Sequence, residues 1–271
     1  MSIPKINWRH IPLILVSIYS LFPMYLLLIN SFKTKSEIIT NPMGLPSVWT
    51  FENYSNAWIQ GNYSVAYINT IIITGTTVIL VAILSGLAAY GLSHLQTPGS
   101  NWLMGYLFIS MSLPVGFIPL FFMAVKFGLI NTYMGVIIPY VGGGFAFNVF
   151  LLRAYMIGIP KELVESAKVD GCNSLQAFFK IIVPLSKPAF IIVMIFSTLG
   201  TWNEFFLANA LLQIEEVRTV SAQYLSFGSK YSTNWALMAA GGVISVIPMI
   251  LLFLFMTRKF VAGLQEGGVK F

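Results

Sequence analysis

Residues 65–92 read VAYINTIIITGTTVILVAILSGLAAYGL, and no Asp, Glu, Lys or Arg occurs anywhere from Asn53 to Val125. A helix crossing the ~30 Å hydrocarbon core of a bilayer needs roughly 20 apolar residues. The charge-free stretch is too long for one crossing, and Ser93-His94-Leu95-Gln96-Thr97-Pro98-Gly99-Ser100 interrupts it with turn-forming residues. It therefore predicts two spans, Val65–Leu92 and Trp102–Val125. The same criterion gives Ile11–Phe32 before it, and Tyr133–Leu152, Pro188–Leu212 and Asn234–Thr257 after it, with Glu204 interrupting the fifth span. Ile11–Phe32 exceeds the usual signal-peptide core and lacks a small-x-small cleavage site before Lys33, so it reads as a retained span.

Composition agrees. The 271 residues are 57% hydrophobic and 9% charged, with mean hydropathy +0.80. Soluble domains are about 45–50% apolar and about 25% charged, so a soluble globular fold is excluded. The 22 Phe, 12 Tyr and 6 Trp are the opposite of a disordered composition. The predicted class is all-α: a polytopic membrane protein with six transmembrane helices. The net charge is +6, but the cations sit in short loops, where they report orientation rather than a nucleic-acid partner. The single Cys172 and two histidines, His10 and His94, offer no disulfide framework and no metal centre.

Six spans put both termini on one side. Lys5, Arg9, Arg153, Lys161, Lys168, Lys180, Lys187, Arg258, Lys259 and Lys270 fall there, against Lys33, Lys35, Lys126, Arg218 and Lys230 on the other side. The positive-inside bias makes the richer side cytoplasmic. Trp49, Trp58 and Trp235 lie in or beside the outward loops, where amphipathic rings suit the headgroup zone. Gly142-Gly143-Gly144 either permits close helix approach or interrupts the fourth span.

The link Arg153–Lys187 carries two amphipathic segments. Pro160 suits a helix start, Lys161–Asp170 follows with helix formers, and Gly171 suits a left-handed stop. Asn173 and Gln176 form the pattern of a capping box for a second helix, ended by Pro184. Leu163, Val164 and Ala167 line one stripe, and Leu175, Phe178, Phe179 and Ile182 the other. By pattern alone the pair could lie on the lipid surface.

Pro160-Lys-Glu-Leu-Val-Glu165-Ser-Ala167, Asp170-Gly171, then nine residues and Ile181-x-Val183-Pro184, resembles the EAA loop of permease subunits of binding-protein-dependent ABC importers. Ser166 and Val183 depart from it mildly. Asn30-Ser-Phe-Lys33, Leu45-Pro46, Glu52-Asn53-Tyr54, Asn131-Thr132, Ile137-Ile-Pro139-Tyr140, Trp202-Asn203-Glu204-Phe205 and Gly263-Leu-Gln-Glu-Gly-Gly268 are similar to the MalG-like carbohydrate branch. The resemblance implies a type I ABC importer permease fold with a cytoplasmic coupling helix. Its parts would be a cytoplasmic N-terminus 1–10, a first span 11–32, an extracytoplasmic loop 33–64, a permease domain 65–260 with the EAA loop 153–187, and a cytoplasmic tail 261–271. It implies import of a sugar or oligosaccharide across a bacterial or archaeal inner membrane. The implied partners are a second, MalF-like permease, two ATPase subunits that bind ATP and magnesium, and a sugar-binding protein.

On this resemblance Glu162, Leu163, Glu165, Ala167, Asp170 and Gly171 are the ATPase-coupling residues, Leu163 and Ala167 filling a groove. Gly263, Leu264 and Gly268 belong to a tail reaching the ATPases, and Ser226–Trp235 to a loop facing the binding protein. Glu204 is the lone acid inside a span, which marks it as a site candidate. Trp202 and Asn203 beside it suit sugar hydroxyls, with Tyr140 and Asn148 as further path candidates. Glu204 could equally bond the partner permease or cap a helix end. No Gly-x4-Gly-Lys-Ser/Thr loop exists, so ATP hydrolysis falls to a partner. A secondary transporter would show internal repeats and several intramembrane charges, and an intramembrane enzyme would need a nucleophile–base pair or metal cluster. The sequence carries neither set.

Overall fold

A computed structural model describes residues 10–95, 98–113, 116–224 and 234–267, with side chains to residue 254. Every regular element among the described residues is helical. They form α1 (His10–Ser31), α2 (Lys35–Thr40), α3 (Glu52–Gln60), α4 (Tyr63–His94), α5 (Ser100–Ser112), α6 (Phe117–Lys126) and α7 (Tyr133–Met156). Then come α8 (Lys161–Val169), α9 (Ser174–Leu185), α10 (Lys187–Asn203), α11 (Phe206–Leu211) and α12 (Trp235–Gly267). Four of these (α1, α4, α7 and α12) are long and apolar enough to cross a membrane, and bent pairs raise the number to six.

The predicted spans are recovered at α1, α4, α7 and α12, whereas the third is not one helix. It is α5 followed by α6, with Leu113 in extended conformation (φ −88°, ψ 123°). Pro114 explains this, because a following proline ring disfavours helical backbone at the residue before it. The fifth span runs Lys187–Asn203 and stops where Glu204 turns extended (φ −71°, ψ 116°). Gly142-Gly143-Gly144 does not break α7. The capping box at Asn173 and Gln176 is present, but Pro184 does not end the second amphipathic helix. A π-turn over Phe178–Ile182 shifts the hydrogen-bond register ahead of the proline. The chain bends only at Ser186, by 84°. The last helix continues past Thr257 to Gly267, so Gly263 and Leu264 are helical. Gly268, residues 1–9 and most of the Ser226–Trp235 loop lie outside the described residues.

The chain divides into two compact units, Met1–Ser64 with Gln223–Pro248, and Val65–Ala222 with Met249–Phe271. In the first unit, Tyr63 is fully buried and its hydroxyl donates to the Gly241 carbonyl at 3.1 Å. A Cβ at position 241 would sit 2.8 Å from that hydroxyl, so Gly241 is what lets the ring approach the helix.

The second unit has two cores. One gathers Val81 and Tyr90 of α4, Leu152 and Met156 of α7, Val164 of α8, Phe178 and Ile182 of α9, and Val193 of α10. The other packs Ile73, Val136, Leu211 and Ala222. A polar clasp closes the second core. Asn131 takes a left-handed backbone (φ 59°), and its Oδ1 accepts from the backbone N–H groups of Gln213 and Ile214 at 2.6 and 3.2 Å. Asn is among the few residues that tolerate this conformation. Asn131→Ala removes both bonds and adds backbone strain, so it should destabilise the unit by about 1–3 kcal/mol. Asn131→Asp keeps the accepting oxygen for both bonds and should lower the melting temperature in detergent far less. Equal losses for the two variants would contradict this role.

Candidate functional site

Two places in the second unit carry functional geometry. The first is the exposed surface of α8. Pro160 precedes it, and Glu162 lies in its first turn, where a carboxylate suits the positive end of the helix dipole. The helix ends in a Schellman turn. Cys172 N–H bonds the Ala167 carbonyl at 2.9 Å and Gly171 N–H bonds the Lys168 carbonyl at 3.0 Å, with Gly171 left-handed at φ +83°. Glycine takes this backbone without a Cβ penalty. An added Cβ at Gly171 would meet no atom of this chain within 4 Å, so the chain's own objection to a side chain there is backbone strain alone.

Val164 and Ala167 face inward, 3% and 5% exposed, while Leu163 is 44% exposed. Ala167 is thus covered within this chain, which leaves Leu163 as the open member of the predicted groove-filling pair. The outward apolar groups are Leu163, Val169, Leu175 and Phe179. Glu162, Glu165, Asp170 and Gly171 are exposed around them. One polar bond fastens this region to the long helices, and a second ties α7 to α4 beside it. His94, buried at the end of α4, places Nε2 3.2 Å from the Ile159 carbonyl. Arg153 Nε donates to the Leu92 carbonyl at 3.4 Å. His94 thus has a structural role, for which the sequence offered no signal because Ile159 is 65 residues away.

The second place is a half-open cleft of about 390 Å³ between α4, α6, α7 and α10. Tyr140, Gly143, Gly144, Phe147 and Asn148 of α7 face Phe196, Ser197, Gly200, Thr201 and Glu204 across it. Gly143 leaves open space here, since an added Cβ would meet nothing within 4 Å, whereas one at Gly144 would lie 3.2 Å from Asn148 Nδ2. Tyr140 Oη donates to Glu204 Oε2 at 2.7 Å. The backbone N–H groups of Leu207 and Ala208 donate to Glu204 Oε1 and Oε2 at 2.9 and 3.2 Å. Glu204 therefore satisfies donors at the start of α11 that its own helix break leaves open, and it lines the cleft as well. Asn148 is 3% exposed; its Nδ2 bonds the Gly144 carbonyl at 2.8 Å, and its Oδ1 has no partner.

Of the five predicted path residues, Tyr140, Asn148 and Glu204 come together. Trp202 and Asn203 do not join them. The Trp202 ring is buried edge-on against Tyr67 at 6.2 Å, and Asn203 Nδ2 bonds the Leu199 carbonyl at 3.0 Å. One residue of helix rotates a side chain by about 100°, which carries both off the face that holds Glu204. Thr77, Ser197 and Thr201 were missed. The signal for Ser197 and Thr201 was the spacing of small and polar groups at 140, 143, 144, 148 and at 197, 200, 201, 204, one stripe on each helix; Thr77 on α4 had none.

Residues 82–265 match the family described as binding-protein-dependent transport system inner membrane component. The chain belongs to that family. It is a multi-pass permease subunit of an ABC transport system and not itself an enzyme. It is 34% identical to the arabinooligosaccharides transport system permease protein of Bacillus subtilis, over 94% of this chain and 92% of that one. It is 32% identical to the diacetylchitobiose uptake system permease protein of Streptomyces coelicolor, over 95% and 87%. Its fold matches a chain in the crystal structure of a bacterial ABC transporter involved in the import of the acidic polysaccharide alginate. The TM-score is 0.81 at 24% identity, covering 95% of this chain and 100% of that one.

The burial difference on α8 of this permease is directly testable. Val164→Asp would bury a charge in the core and should abolish accumulation of folded protein. Leu163→Asp, one residue away on the open face, should leave expression and thermal stability in detergent within experimental error. Comparable losses for both would contradict the inward–outward assignment.

Proposed function

We propose that this permease forms half of the translocation path of an ATP-driven importer for a sugar or oligosaccharide, with both termini cytoplasmic. The sugar class rests on the named substrates of relatives that align over nearly the whole chain. A second, MalF-like permease would supply the other half of the path. An external sugar-binding protein would deliver substrate, and two ATPase subunits would bind ATP and magnesium on the cytoplasmic side.

The observation that carries the mechanism is α8: a short, exposed helix bolted to the spans by its inner face. Glu162, Leu163, Glu165, Asp170 and Gly171 would dock into an ATPase groove, Leu163 filling it and the carboxylates pairing with basic groups on its rim. Ala167 contributes from inside by holding α8 against the core. Because α4, α7 and α10 both grip α8 and line the cleft, movement of α8 with a closing ATPase would reach the cleft through packed side chains. Cores pass strain on in this way because they are close-packed.

Within the cleft, Phe147 and Phe196 offer apolar faces, while Tyr140, Glu204, Thr201 and Asn148 offer polar groups, the mixture that a sugar's C–H faces and hydroxyls require. Gly263 and Leu264 at the end of α12, with Gly268 beyond it, would extend toward the ATPases.

Gly171→Asp should reach the membrane, because its left-handed strain costs only on the order of 1 kcal/mol. It should lose ATPase association and at least ten-fold in sugar uptake, since the added carboxylate meets the docked partner. Glu165→Lys should lose uptake similarly. Normal ATPase pull-down and normal uptake by both variants would overturn the coupling role. For the path, Tyr140→Phe and Glu204→Gln should lower uptake in proteoliposomes while the complex still assembles and binds ATP. Unchanged uptake by both would remove the cleft from the path.

A further inference from the structure

The apolar core under α8 holds that helix in place but does not by itself fix its register against α4. Burial of apolar surface is non-directional, whereas a hydrogen bond weakens steeply once its geometry changes. The directional contact lies one step before α8. Residues 157–160 join α7 to α8, and the N–H groups of Ile157, Gly158 and Ile159 turn back to the carbonyls of Arg153, Tyr155 and Met156. On the α8 side, Leu163 N–H bonds the Pro160 carbonyl at 3.3 Å. The Ile159 carbonyl, two residues ahead of α8, is met instead by His94 Nε2 at 3.2 Å. His94 is the last residue of α4.

A carbonyl can only accept, so Nε2 carries the proton, and Nδ1 of the neutral ring accepts from the Ser93 hydroxyl at 2.8 Å. The ring is buried and lies 5.8 Å from Tyr90, whose own ring packs on Phe178 at 5.6 Å. The imidazole is thus oriented by Ser93 on its own helix and by the aromatic core beneath it. A second bond runs the opposite way. Arg153 of α7 donates through Nε to the Leu92 carbonyl at 3.4 Å, in the last turn of α4, whose carbonyls the helix cannot satisfy itself. A side chain of α7 therefore holds the end of α4, and a side chain of α4 holds the chain that leaves α7. Three turns and more back along α4, Thr77 and Val81 line the cleft, so one helix carries both His94 and part of the cleft wall.

On the reading of α8 as the ATPase-coupling helix, we propose that His94 is a positioning residue for transport. Its Nε2–H keeps the entry to α8 in register with α4, so that displacement of α8 reaches the cleft instead of being absorbed in residues 157–160. Apolar packing supplies attachment, and the imidazole supplies register.

A chemical readout of the cleft tests this without knowledge of the sugar. Gly143→Cys places a thiol in open space on the cleft wall, in a Cys172→Ser background. The assembled transporter is reconstituted in proteoliposomes and treated with a charged maleimide, with and without ATP, magnesium and vanadate. Mass spectrometry of this chain gives the labelling rate. With His94 present, nucleotide should change that rate several-fold. His94→Phe keeps a ring beside Tyr90 but removes the donor. It should leave assembly, ATPase association and ATP hydrolysis near normal while shrinking the nucleotide response by roughly two- to ten-fold, the worth of one hydrogen bond. His94→Gln, which returns an N–H donor, should restore the response. An undiminished response in His94→Phe would overturn the positioning role and leave the coupling reading intact. Loss of assembly by His94→Phe, or no recovery in His94→Gln, would also overturn it and leave His94 a structural residue alone. No nucleotide response even with His94 present would overturn the coupling reading itself, and this role with it.

Discussion

Phe178 sits where five helices meet. Its ring, 1% exposed, packs with Tyr90 of α4 at 5.6 Å and Phe190 of α10 at 6.4 Å, and belongs to the core that includes Leu152 and Met156 of α7 and Val164 of α8. Removing such a side chain from water is worth on the order of 1.5–3 kcal/mol, but its position matters more than its size. Without this cluster α8 and α9 would be a tether joining two spans. With it they are packed into one core with α4, α7 and α10. Even the close approach is built in, because a Cβ on Gly86 would lie 2.8 Å from the Phe190 ring.

A second constraint shapes the other end of the unit. A helix broken in apolar surroundings leaves backbone groups that no lipid can satisfy. The break at Glu204 is tolerated because the carboxylate answers the N–H groups of Leu207 and Ala208 and still accepts from Tyr140. The reading of Glu204 as a helix cap and its reading as a cleft residue are therefore compatible. One carboxylate holds α11 in place and presents its polar surface to the cleft that α7 and α10 enclose.

The spans were legible because hydrophobicity on a scale of 20 residues is a local property: α1, α4, α7 and α12 follow from charge-free runs. So were the Schellman stop at Gly171 and the capping box at Asn173, which depend on residues within one turn. The break between α5 and α6 was hidden because Pro114 sits in an apolar window that reads as continuous. The covered side of α8 was hidden for a different reason. Periodicity put Leu163, Val164 and Ala167 on one stripe, but Phe178 and Ile159, which divide that stripe into an inner and an outer half, act through tertiary packing. Trp202 shows the same limit. Adjacency to Glu204 in sequence suggested a shared site, and the helical rotation between neighbours sent it to Tyr67 instead.

Whether α8 is the point of force transfer is decided by what lies against its open face. A photo-crosslinking amino acid at position 163 in the membrane-embedded transporter should give a covalent adduct with an ATPase subunit, and the same group at position 175 should do so more weakly. An adduct with lipid alone, or no adduct with the ATPase under conditions where the intact complex hydrolyses ATP, would contradict the account.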